Sequence, residues 1–246
     1  MMGVKLLGGI VRVGRLVIGA VAALALVGGG GAAALQVRKN IQQADGVQRQ
    51  VAQCEAIKRT INSQGSVVTL GEGSQTVAIL GDSYAAGDYL DSPADGWVGQ
   101  LADAKDWAVQ VDAIGGTGFI NGGPCLTHKF GARVDSILAT DPDVVLIEGG
   151  LNDHGRPSEA LAAAVSALLD DFAAVPSIIV VGPTNAPAIT DDEAVDTAMR
   201  QAVESKGRTY VSAYDWELEF LPDGIHMTKD SHARYASKLG AAVPTS

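Results

Sequence analysis

The chain has 246 residues, 47% of them hydrophobic, and a formal charge of −10. The acidic excess lies wholly beyond residue 34, which excludes a nucleic-acid partner and electrostatic docking on anionic lipid as leading functions. Two cysteines are too few for a disulfide scaffold or a cysteine-built metal site, and the four histidines form no zinc-binding helical pair, so neither metal nor cofactor is expected.

In chain order, the first feature is an uncharged stretch from Leu16 to Leu35, preceded by Lys5, Arg12 and Arg15. As a helix it is long enough to cross a bilayer core of about 30 Å, and the basic flank keeps the N-terminus cytoplasmic. A cleaved signal peptide fits the same stretch, with an apolar centre from Leu16 to Val27 and Ala32-Ala33-Ala34 as the cleavage site. One reading gives a single-pass protein of the cell membrane and the other a secreted protein. Both put the remainder outside the cytoplasm. Residues 36–75 read as a stalk and linker. Val47, Val51, Cys54, Ile57 and Ile61 recur at steps of four and three, which predicts an amphipathic helix lying on the domain. Val67 to Leu70 suggests a short edge strand before the turn residues Gly71 to Ser74.

From residue 76 to residue 246 strand-like and helix-like segments alternate. Strands are predicted over 76–81, 107–113, 143–149, 177–182 and 208–213. Helices are predicted over 95–104, 130–140, 157–174, 191–206 and 229–242. The runs Val144 to Ile147 and Ile178 to Val181 are apolar without alternation, as in strands covered on both faces of a parallel sheet. The pattern predicts an α/β fold: a three-layer α/β/α sandwich around a mostly parallel five-stranded sheet, doubly wound and flavodoxin-like. Ligands of such sheets sit at the carboxyl ends of the strands.

Three polar motifs follow predicted strands. Gly81-Asp82-Ser83-Tyr84 follows the first, Gly115-Gly116-Thr117-Gly118 the second, and Gly150-Leu151-Asn152-Asp153 the third. A fourth, Asp223-Gly224-Ile225-His226, precedes the last helix. Ser83 therefore sits where a central strand hands over to a helix N-terminus, whose N–H groups and partial positive charge suit a nucleophile. A serine hydroxyl also needs a base, a group that orients the base, and donors for an oxyanion. The plain alternatives are an N-cap serine at Ser83, an ordinary turn at Asn152-Asp153, and a surface turn carrying His226.

These four blocks, in this order, resemble the GDSL or SGNH hydrolase family, with G-D-S-Y here where the family name has G-D-S-L. The resemblance implies a serine esterase that needs no metal or cofactor and passes through an acyl-enzyme. It implies Ser83 as nucleophile, His226 as base and Asp223 as its orienter. The oxyanion would be held by the N–H groups of Ser83 and Gly116 and by the Asn152 amide, with Gly115 as the alternative to Gly116. Asp82 and Asp153 are expected to be scaffold residues, His154 lies beside Asn152, and His232 is a rival base on the last helix. The family's frequent Pro after the histidine is Met227 here. A small-molecule, lipid or glycan ester is the expected substrate. Residues Phe119 to Phe130 and 183–190 are the expected pocket walls. An envelope O-acyltransferase with the same site and a catalytically silent envelope-binding module are the alternatives. In an oxidising compartment Cys54 and Cys125 can form one disulfide, against two separate buried thiols.

Overall fold

The computed structural model describes residues 31–243. The chain divides into two units, Met1–Cys54 and Glu55–Ser246. The first 30 residues, which carry most of the expected membrane or export segment, lie outside the described residues. Among the described residues no helix is long and apolar enough to cross a membrane. Helix α1, Gly31–Gln64, carries the expected apolar stripe, but the stripe is only partly covered. Val47 and Val51 are 55% and 57% exposed, whereas Cys54, Ile57 and Ile61 are half-buried. Cys54 and Cys125 are each disulfide-bonded.

The second unit is built on strands β1 (Val68–Leu70), β2 (Gln75–Gly81), β3 (Trp107–Ala113), β4 (Val144–Glu148), β5 (Ser177–Thr184) and β6 (Thr209–Ala213). They form one sheet in the order β1-β3-β2-β4-β5-β6. The sheet thus has six strands where five are predicted. The addition is the edge candidate: β1 pairs antiparallel with β3, Val68 opposite Val111, and every other pairing is parallel. Such a short edge strand offers few open backbone groups for another chain to pair with.

The apolar strand runs are buried on both faces, as their lack of alternation predicts. Leu146, Ile179 and Val181 point to one face. There they meet Trp97 and Leu101 of helix α3 (Trp97–Lys105) and Tyr235 and Leu239 of helix α7 (Lys229–Ala242). Val145, Ile147, Ile178 and Val180 point to the other face. There the cover is Ile137 of α4 (Val134–Leu138), Leu161 and Val165 of α5 (Ser158–Asp171), and Met199 of α6 (Asp192–Ser205). The remaining helix, α2, is a single turn from Ser83 to Ala86.

The predicted helix over 130–140 is instead a 3₁₀ turn, Phe130–Arg133, followed by α4. The break aims Arg133 inward, where it is buried. Its Nη1 donates to the Asp112 carbonyl (2.9 Å) and carboxylate (2.8 Å), and its Nη2 to the Gly81 carbonyl (3.0 Å) and Thr117 Oγ1 (2.9 Å). One guanidinium thus ties the ends of β2 and β3 to the loop that follows β3. Ser136 Oγ donates to the other Asp112 oxygen (2.5 Å). Removing one member of a buried ion pair leaves the other charge without compensation. Arg133→Met is therefore expected to lower unfolding stability by about 3–5 kcal/mol in urea titrations. Arg133→Lys should recover little, because an ammonium lacks the planar fork that reaches these acceptors.

Candidate active site

Strand β2 lies between β3 and β4, so the chain switches direction across the sheet at its carboxyl end. Ser83 sits at that switch point, buried, as the first residue of α2. The backbone donors around it are mostly taken. Asp82 caps the helix: its Oδ1 accepts from Tyr84 N–H (2.9 Å) and its carbonyl from Ala86 N–H (2.9 Å). The Ala85 N–H favours the charged form of Glu148, the last residue of β4, which is buried beneath the turn. Ser83 N–H is the first of its helix and has no intrahelical acceptor.

Burial raises the Asp82 carboxyl to about 7, with Asp88 and Asp153 adding repulsion and the Tyr84 N–H and Arg133 opposing it. Glu148 is pushed well above the usual carboxylate range, first by burial and then by Asp82. Its Oε2 has no hydrogen-bond partner among the described residues.

Asn152 is brought to the same turn. Its amide donates to Asp82 Oδ2 (2.9 Å) and to the Thr117 carbonyl (3.0 Å), which employs both of its hydrogens. Gly150 begins this block with φ +111, and a Cβ there would stand 2.4 Å from Met199 Sδ, so only glycine lets the turn pack on α6. Asp153 is a scaffold residue with a longer reach than a local turn. It accepts from the N–H groups of Phe119 (2.8 Å), Ile120 (3.0 Å) and Asn121 (2.9 Å), and so fixes the start of the loop expected to line the pocket.

Of the two glycines after β3, Gly115 faces Ser83: a Cβ on it would lie 3.6 Å from the serine Cβ and 2.3 Å from Asp88 Oδ2. Gly116 has φ +75 and faces Pro124, so the glycine favoured from the motif is not the one whose missing Cβ clears the space beside the serine.

Asp223 and His226 form a unit on one turn. Asp223 Oδ1 accepts from the N–H groups of Ile225 (2.9 Å) and His226 (3.0 Å), and Oδ2 lies 2.7 Å from His226 Nδ1. The histidine bond and these N–H groups lower the Asp223 carboxyl to about 2. An ionised carboxylate only accepts, so Nδ1 carries the proton and Nε2 is the nitrogen left for chemistry. The expected wall at 183–190 touches this turn, since Ala188 N–H donates to the Gly224 carbonyl (3.0 Å).

No hydrogen bond joins the Ser83 hydroxyl to the imidazole. What links the two segments is Tyr84, which the sequence did not single out. Its hydroxyl donates to the Ile225 carbonyl (2.5 Å) and so accepts from Thr184 Oγ1 (3.1 Å) at the end of β5. Its ring stands edge-on to His226 at 6.4 Å. Arg133 and Asp112 were missed as well, because nothing local in the sequence marks a residue that acts through a tertiary bond.

His232 is not poised as a base. It is buried, its Nδ1 accepts from Trp97 N–H (3.3 Å) at the start of α3, and burial lowers it to about 4. His154 is exposed, 4.0 Å from Asp191.

Two outcomes are expected. Tyr84→Phe leaves the half-buried Ile225 carbonyl without its donor, so stability falls by about 1–3 kcal/mol and amide exchange quickens at residues 221–228. His232 is depressed below its ordinary value of 6.5, so its contribution to stability is complete above that pH and is lost as pH falls towards 4. Asp82 works in the opposite sense, its contribution fading as pH rises from 3.8 to about 7. The amide oxygen of His232→Asn can replace Nδ1 without titrating. The melting-temperature gap between wild type and this variant should therefore narrow on acidification from 6.5 to 4.

Residues 79–234 match the family model described as GDSL-like Lipase/Acylhydrolase family. No curated protein sequence matches. Among solved structures, TesA is similar with 23% identity and a TM-score of 0.57, covering 68% of this chain and 97% of that one. A carbohydrate acetylesterase from Sinorhizobium meliloti has 16% identity and a TM-score of 0.60, with coverage of 68% and 97%. A catalytic mutant of an acetylxylan esterase from Geobacillus stearothermophilus has 16% identity and a TM-score of 0.54, with coverage of 72% and 97%. At these identities the likeness establishes the shared fold.

Proposed function

Because the chain belongs to the GDSL-like lipase/acylhydrolase family, we propose that it is a serine ester hydrolase with Ser83 as nucleophile. The observation that carries this is the Asp223–His226 pair, 2.7 Å apart, tied through Tyr84 to the turn that presents Ser83. His226 Nε2 takes the Ser83 proton as Oγ bonds to the ester carbonyl carbon. The carbonyl electrons move to oxygen, which is held by the N–H groups of Ser83 and of Gly115 or Gly116 and by one Asn152 hydrogen drawn from its present bond. The intermediate collapses, the C–O bond to the alcohol breaks, and His226 returns its proton to the leaving oxygen. Water then repeats the sequence on the acyl-enzyme. Asp223 stays ionised and stabilises the transient imidazolium.

The acetylesterases among the similar structures support a short acyl group on a glycan alcohol as the first substrate to try. The uncharged stretch from Leu16 to Leu35 behind three basic residues supports export of the domain, with the segment retained as an anchor or cleaved.

Ser83→Ala is expected to abolish hydrolysis of an aryl acetate with the fold intact, and a fluorophosphonate probe should label Ser83 in the wild type alone. Retained turnover in the variant, or no label on Ser83, defeats the assignment. Asn152→Ala should slow turnover by about 10²–10³ if its amide joins the oxyanion hole.

A further inference from the structure

Tyr89 stands in a position its residue type disfavours. Gly87 closes α2 in the left-handed region, Asp88 N–H donates to the Ser83 carbonyl (3.0 Å), and Leu90 N–H donates to the Gly87 carbonyl (3.1 Å). Gly87 to Leu90 is thus a hydrogen-bonded β-turn with Tyr89 third, at φ 70. A positive φ at the third turn position favours Gly or Asn, and a bulky residue there is a true outlier. Burial does not explain the choice, since Tyr89 is 72% exposed. Its ring contact does: the ring lies 4.4 Å from the His226 ring, tilted by 45°.

Two tyrosines from the segment that carries Ser83 therefore border the imidazole. Tyr84 is buried and its ring is 6.4 Å away, whereas Tyr89 is exposed and its ring is 4.4 Å away. Asp223 holds the ring by a hydrogen bond at Nδ1. We propose that Tyr89 is a positioning residue that holds the His226 ring in the orientation from which Nε2 gives its proton to the leaving alcohol. This rests on the ester-hydrolase assignment. Aromatic contact also favours the positively charged ring that exists at that moment. Strain retained at an exposed residue beside the reacting groups is expected when the strain serves function.

An alkyl alcohol must be protonated as it leaves, whereas a nitrophenolate departs unaided. A loosened imidazole should therefore harm an alkyl ester more than a nitrophenyl ester of the same acyl group. The test compares kcat/KM on ethyl acetate and 4-nitrophenyl acetate for wild type, Tyr89→Gly, Tyr89→Asn and Tyr89→Phe. Gly and Asn both suit a positive φ, so both variants should melt near the wild-type temperature. Each is expected to lose about tenfold more on the ethyl ester than on the nitrophenyl ester, a small part of what general acid catalysis supplies. Tyr89→Phe should recover most of the loss, because the ring and not the hydroxyl makes the contact. Equal losses on the two esters, or no loss in either small variant, overturn the proposal while the hydrolase assignment stands. A wild type that hydrolyses neither ester, or a Ser83→Ala variant that still does, brings down both.

Discussion

The site depends on one buried cation. Arg133 holds the ends of β2 and β3 and the Thr117 hydroxyl in a single planar fork. The Thr117 carbonyl accepts from Asn152, and Asn152 donates onward to Asp82, the residue that caps the nucleophile helix. Positions 82, 112, 117, 133 and 152 are thereby joined in one polar network below the cleft. A network of this kind in a medium of low dielectric rigidifies when satisfied and fails sharply when one member is lost. The network has no slack at Asp112, which is fully buried.

The same low dielectric shapes the acids beneath Ser83. Asp82 and Glu148 are both buried, and both carboxyls are raised. Burial disfavours the charged form of both, and the Asp82 charge adds to the rise of Glu148. The acids still order the turn, since Asp82 takes the Tyr84 N–H.

Much of this was legible in the sequence. The uninterrupted apolar runs at 144–147 and 178–181 gave strands buried on both faces, because only the centre of a covered parallel sheet tolerates such runs. Asp223 and His226 were legible through the family resemblance, and their spacing of three on one turn lets carboxylate and imidazole meet without distant help. The 3₁₀ turn at 130–133 was not, since it follows from the demand of Arg133 for acceptors on two strands far away in sequence. Nor was the choice between Gly115 and Gly116, which depends on how a loop folds over Ser83. Nothing in the sequence marked a task for Tyr84 or Tyr89, and only the tertiary approach of the His226 loop gives either one.

The Asp223 carboxylate closes its own turn through two backbone N–H groups while it grips the imidazole. Imidazole orientation and local folding thus rest on the same five atoms, so this corner cannot be retuned piecemeal. It can, however, be left alone while its surroundings vary. The segment 119–130 meets the site through backbone N–H bonds to Asp153 and the Asn121 side chain, and the segment 183–190 through the Ala188 N–H to Gly224 and the Thr184 hydroxyl to Tyr84. Changes of side chain along those rims at positions other than Asn121 and Thr184 would alter which esters fit without disturbing how the bond is cut, which is the kind of separation that lets one scaffold diversify its diet.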